Sequence, residues 1–369
     1  MSKKVIYIVK SDLAYYPPCV SQICMLNDMG VDVEVWFGSS KKTAIDILET
    51  RGIPYAELTD PRGKMPGKLD KLNNWVAFRR AVKARLRTID PASCVLWFGT
   101  GETSMPMVGA LGGFSYVANA LELHDDNETK KRLIGSVCKG AVAVTACERT
   151  RAYIMRSWWG LPRLPYVFPN KPYGMELRRE MPLTCDETRR IVDDMAGREF
   201  FIYQGILHEE AYVAEIAKAL KAEGGEHPLV LMGIDKHGMA PRIKEIYDNT
   251  YYYPSIPAPK HLEVTSRAYV GIVFYKADIL NEAFCAPNKI YEYSSFGLPM
   301  LANDIPGLEN TVGTAGCAEC VPLRKGEIVH AVERIEAGYD GYVDAAKRFF
   351  DATDNTVEMR RLLDETGIL

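Results

Sequence analysis

The segment Pro287-Asn288-Lys289-Ile290-Tyr291-Glu292, closed by Gly297-Leu298-Pro299, sets an amide, an ammonium and a carboxylate close together in one short unit. Asn288 is a good helix N-cap and Pro287 sets the entry to it. The pattern predicts a helix over residues 289–296, stopped at Gly297 with Pro299 blocking continuation. A helix start presents free N–H groups and partial positive charge, which suits an anion. Lys289 in the first turn opposes that dipole, and phosphate oxygens between the amides and the ammonium would resolve the conflict. Glu292, one turn on and on the same face, is within reach of a sugar diol, which carboxylates hydrogen-bond in dinucleotide sites. The competing reading is a surface helix carrying an incidental Lys–Glu pair. Against it, strand, loop, cap, Lys, Glu, Gly stop and strand occur together.

The elements that must position this unit alternate along the chain. Apolar runs in the first half are KKVIYIV, VDVEVWFG, SCVLWFG, FSYVANAL and GAVAVTA. They lack period-two alternation, as expected of parallel strands buried on both faces. Helical stretches lie between them, for example at residues 18–29 and 72–89. The series breaks at PYVFPNKPYG and resumes with EFFIYQG, HPLVLMG, NTYYYPSI, AYVGIVFY, LPMLAND and CAECVPL. This predicts an α/β protein of two Rossmann-like, doubly wound parallel-sheet domains with a cleft at the strand ends. The expected division is residues 1–172 and 173–340, with the boundary near 171–178. A helical segment at 341–369 is expected to pack back on the first domain.

Composition narrows the function. A chain of 369 residues, 47% hydrophobic and 25% charged, is an ordinary globular protein long enough for two domains. A net charge of −3 gives no global reason to expect nucleic acid. No apolar run approaches the roughly 20 residues needed to span a bilayer. MSKKVIYIVK enters a strand directly, so no signal peptide is expected and the location expected is cytoplasmic. Nine cysteines in mostly apolar stretches read as buried thiols. Cys317 and Cys320 have zinc-ligand spacing but no second pair, so no metal site is expected there. Gly99-x-Gly101 lacks the third glycine of a dinucleotide fingerprint, which argues against an NAD-dependent oxidoreductase.

Beyond these readings, PNKIYEYSSFGLPMLAND resembles the donor-site motif of GT-B-fold glycosyltransferases, close to the retaining E-x7-E, family-four-like class. The resemblance implies Glu292 on the ribose of a UDP- or GDP-sugar substrate, with Asn288 and Lys289 at its diphosphate. FFIYQGIL resembles the family's strand and glycine turn, with Gly205 admitting the phosphates. SIPAPKHLEV resembles the base-recognition loop, with Ile256 near the base. ALELHDDNETK resembles the family's histidine-bearing loop, which implies His124 near the donor sugar; beside Asp125 and Asp126, an ordinary surface or capping histidine is the competing reading. CERTRAYIMRSWWGLPRLPYVFPNKP resembles the end of the acceptor domain and the hinge.

The chain departs from the family pattern in places. Phe284 stands where the first glutamate of the E-x7-E pair belongs, and Glu282 is the nearest candidate for gripping the transferred sugar. Ile206 and Ala211 occupy ground where Arg or Lys is common. KSDLAYYPPCVSQ lacks glycines found in many relatives, so Tyr15 and Tyr16 are expected to wall an acceptor site. No Asp-x-Asp occurs, which agrees with a metal-independent transfer and no bound cofactor. Nine basic residues between Arg62 and Arg87, against Asp70 alone, suggest contact with an anionic membrane and a glycan or lipid-linked acceptor, as in bacterial surface-polysaccharide assembly. The alternative there is a domain helix with a buried stripe and solvated charges. Two other functions remain open: a catalytically weak sugar-nucleotide-binding protein, and a nucleotide-sugar epimerase.

Overall fold

In the computed structural model the described residues are 3–58 and 68–369, and the side chains of 68–72 lie outside the description. Arg62, Lys64 and the side chains of Lys68 and Lys71 therefore fall outside the described residues. The chain divides into two units, Met1–Gly174 with Asp354–Leu369, and Met175–Thr353.

The first unit carries β1 (Lys4–Asp12), β2 (Val33–Ser39), β3 (Tyr55–Glu57), β4 (Cys94–Phe98), β5 (Ser115–Ala120), β6 (Ala143–Ala146) and β7 (Tyr166–Val167). They form one parallel sheet in the order β3-β2-β1-β4-β5-β6-β7. Both faces are covered, which is why the strands read as continuous apolar runs. From β1, Val5, Tyr7 and Val9 pack with Ile23 and Leu26 and with Met359, Leu362 and Leu363 of the C-terminal helix Asn355–Thr366. Ile6 and Ile8 face the other way, onto Phe78, Val82 and Leu86. The short strands β3 and β7 carry too few apolar residues to stand out in the sequence. β7 lies inside the Pro-rich PYVFPNKPYG stretch and is tied to the C-terminal helix, with Tyr166 donating to Glu365 at 2.6 Å and the Val167 N–H to Glu358 at 3.1 Å.

The basic helix Lys68–Leu86 buries its stripe: Ala77, Phe78, Val82 and Leu86 are in the core. Two of its cations are used internally. Arg79 donates to the carbonyls of Pro106 and Val108 at 3.0 and 2.8 Å, and Arg85 lies over the Trp36 ring.

The second unit carries β8 (Phe201–Leu207), β9 (Leu229–Asp235), β10 (Thr250–Tyr253), β11 (Val270–Val273), β12 (Met300–Asn303) and β13 (Ala318–Val321). They form a parallel sheet in the order β10-β9-β8-β11-β12-β13. Strand order reverses between β8 and β11, the place where open α/β sheets bind ligands beyond their carboxyl ends. The helix Asn288–Ser295 runs from the loop after β11 into β12. It packs on the sheet through Tyr293, whose ring is fully buried over Gly271 of β11. A methyl group at position 271 would sit 2.3 Å from Tyr293 Cδ2. Gly271→Ala should therefore lower the stability of this unit by about 1–3 kcal/mol, as overpacked cores do, measured as a lower denaturation midpoint.

Candidate functional site

The helix Asn288–Ser295 begins one residue earlier than its sequence suggests. Asn288 is its first residue and not its cap; Pro287, with φ −74° and ψ 145°, holds the cap position without a side-chain hydrogen bond. The ring fixes φ near the helical value while the extended ψ turns the chain in, so the first-turn N–H groups lack a side-chain acceptor at the cap. The helix ends where the Gly297 N–H reaches the Ser294 carbonyl and the Leu298 N–H reaches Tyr293.

Lys289 stands in the first turn with its ammonium 4.2 Å from the centre of the Tyr203 ring and 5.5 Å from that of Tyr275. It makes no ion pair among the described residues. Burial pushes its pKa down to about 8, partly offset by Glu292 and Cys285. The aromatic faces replace part of the lost hydration through cation–π attraction. Gly205 of β8 lies directly behind it. A Cβ there would stand 3.4 Å from Lys289 Cε, and φ of +123° is a conformation that only glycine adopts easily. Gly233 of β9 completes the fit, because a Cβ at 233 would meet the Gly205 carbonyl oxygen at 1.5 Å.

Glu292, 6% exposed, is held by a polar chain. Thr265 Oγ1 donates to Gln204 Oε1 at 2.5 Å, which aims the Gln204 amide at Glu292, where it donates to Oε2. His261 Nε2 lies 3.5 Å from the same oxygen, and His261 Nδ1 is buried without a hydrogen-bond partner among the described residues. Tyr275 is fixed by two backbone bonds: its N–H donates to Asn303 Oδ1 at 3.1 Å, and its carbonyl accepts from Asn303 Nδ2 at 2.7 Å. His208, just beyond β8, lies against Phe274 and Tyr275; burial and Lys289 push its pKa down.

The second unit thus brings Gly205, Asn288, Lys289 and Glu292 to one end of its sheet. Ile256 is half-buried and packs on the same core cluster as Tyr291 and Leu262. Glu282 sits on the one-turn helix Leu280–Ala283 in the loop after β11, near Phe284 at the position of the expected first glutamate. Gln204, Thr265, His261, His208, Tyr203, Tyr275 and Asn303 escape sequence reading. Tyr203 and Gln204 lie in FFIYQGIL, His261 in SIPAPKHLEV and Asn303 in PNKIYEYSSFGLPMLAND, segments singled out without these residues being given a role.

His124, Tyr15 and Tyr16 belong to the first unit. His124 is half-buried in the left-handed region at φ 55°, and burial, then Lys130, push its pKa down. Tyr15 is 66% exposed with Lys41 over its ring, while Tyr16 is half-buried. Among the described residues no group of His, Cys, Asp and Glu is arranged to hold a metal, and no helix is long and apolar enough to cross a membrane.

Solved structures share this architecture over nearly the whole chain. A glycosyltransferase from Rickettsia africae matches with a TM-score of 0.67 at 11% identity, covering 100% of this chain and 99% of that one. Anabaena Alr3699/HepE, solved in complex with UDP-glucose, matches with a TM-score of 0.66 at 13% identity, over 99% and 100% of the two chains. A UDP-N-acetylglucosamine 2-epimerase matches with a TM-score of 0.65 at 10% identity, over 100% and 98%. No family model and no curated protein matches the sequence. At these identities the likeness establishes the fold: two Rossmann-like parallel-sheet units of the GT-B class.

The depressed pKa of Lys289 has two consequences. With the folded value near 8 against 10.5 ordinarily, the unfolded chain holds more proton between those values, so this group makes stability rise with pH across that window. NMR of reductively methylated protein should show one lysine signal titrating near pH 8, missing from Lys289→Met.

Proposed function

We propose that the protein is a glycosyltransferase moving a sugar from a UDP- or GDP-sugar to a glycan or lipid-linked acceptor. The observation that carries this reading is Lys289, a cation packed against Gly205 with no ion pair among the described residues, at the start of the helix that also delivers Glu292. A diphosphate supplies the charge that this lysine and the helix start lack. Glu292, aligned by Gln204 and His261, then accepts hydrogen bonds from a ribose diol, and Ile256 lies near the base. The bond between the sugar's anomeric carbon and the diphosphate breaks with its electron pair on phosphate. The acceptor hydroxyl bonds to that carbon and gives its proton to the leaving phosphate oxygen, so retention needs no protein base. Lys289 and the helix dipole offset the charge that develops, without a metal.

In this reading His124 and Glu282 touch the transferred sugar and Tyr15 and Tyr16 the acceptor. The E-x7-E, family-four-like subtype is the form proposed, with Phe284 in place of its first glutamate. The division is one acceptor domain and one donor domain, with peripheral contact at the inner membrane face during surface-polysaccharide assembly. Similarity to HepE, whose structure contains UDP-glucose, supports the donor class. Similarity to a UDP-N-acetylglucosamine 2-epimerase keeps epimerisation as the second reading.

Thermal-shift titration with UDP, GDP and their sugars should show stabilisation by one nucleotide family. Glu292→Ala should weaken that nucleotide by about 10- to 100-fold, as loss of a charged hydrogen-bond pair of about 1.5–3 kcal/mol implies. No stabilisation by any nucleotide sinks the reading. Conversion of UDP-N-acetylglucosamine to its 2-epimer, detected by NMR, would move the assignment to the second.

A further inference from the structure

At the carboxyl end of the first sheet, β1 and β4 lie side by side where the strand order reverses. Lys10, near the end of β1, is half-buried, and its ammonium makes no hydrogen bond or ion pair among the described residues. Its backbone is pinned: the Lys10 N–H donates to Thr103 Oγ1 at 3.0 Å, and the Lys10 carbonyl abuts Gly38, where a Cβ would come within 2.1 Å of the oxygen. The carboxylate that acts on it, Glu102, pairs with Lys130. Burial lowers the Lys10 pKa, and Lys130 lowers it further against the pull of Glu102. His124 feels the same Lys130 and Glu102. A half-buried ammonium with no ion pair among the described residues, on a backbone pinned at a strand end beside a switch point, is placed for an anion.

We propose that the acceptor taken up by the first unit carries an anionic group, carboxylate or phosphoryl, seated on the Lys10 ammonium beside the Glu102–Lys130 pair and His124. This rests on the glycosyltransferase reading and names the chemical class of its acceptor. The carboxylate of an acidic sugar and the phosphoryl of a lipid phosphate are two sources of the same chemistry.

The test is calorimetric titration of the protein saturated with whichever of UDP and GDP it binds, using two matched pairs, p-nitrophenyl glucuronide against p-nitrophenyl glucoside and geranyl phosphate against geraniol. At least one anionic member should bind ten times more tightly than its neutral counterpart, and the pair that shows this names the source. The preference should fall within twofold of unity in Lys10→Met and persist in Lys10→Arg, and neither substitution should change the affinity for the nucleotide. Equal binding within both pairs, or a preference that survives Lys10→Met, overturns the proposal. Failure of the unmodified protein to bind either UDP or GDP is read separately and overturns the transferase reading beneath it.

Discussion

A half-buried lysine ammonium with no ion pair among the described residues is the constraint around which the second unit is arranged. Lys289 stands at a helix start, where the backbone dipole repels it, and in surroundings that strip its hydration. Three devices make this tolerable. The faces of Tyr203 and Tyr275 attract the cation. The carboxylate of Glu292, one turn along, acts on it electrostatically. Gly205 and Gly233 clear the backbone behind it. Tyr203 and Gly205 come from β8, Gly233 from β9 and Tyr275 from the loop after β11, so the lysine's surroundings depend on the sheet being assembled in this order.

The same economy governs Glu292. A carboxylate only 6% exposed must be hydrogen-bonded, and its partners form a directed chain from Thr265 through Gln204. The threonine hydroxyl fixes which way the glutamine amide points, which in turn makes the glutamate an acceptor from nitrogen. His261 closes the chain from the other side. Asn303, in β12, brackets Tyr275 by both backbone groups and so holds the loop after β11 where the lysine needs its ring.

The first unit shows how charge in a sequence can be absorbed by a fold. Its basic helix looks like a membrane-facing element, yet Arg79 caps carbonyls of Pro106 and Val108 and Arg85 covers Trp36. Lys10, unremarkable in the sequence, is a cation at the strand ends that makes no hydrogen bond or ion pair among the described residues. Periodicity identifies the face of a helix, but which charges are consumed internally depends on what the neighbouring loops present.

Much was legible beforehand because it is local. Both-face burial in parallel sheets writes itself as long apolar runs, so the long strands and the two-sheet architecture could be read from KKVIYIV through CAECVPL. The short strands β3 and β7 could not, since three and two residues carry no pattern. The helix of Lys289 and Glu292 was visible from its flanking proline and glycine, but its start was misplaced by one residue because Pro287, rather than Asn288, took the cap. By itself the sequence determined which residues share a helix face and which strands are buried. Tertiary structure alone decided that Gln204, Thr265 and His261 converge on Glu292, from up to 88 residues away in the chain, and that Tyr203 and Tyr275 converge on Lys289. Their convergence arises from strand order in the sheet, and no local periodicity encodes which strands lie side by side.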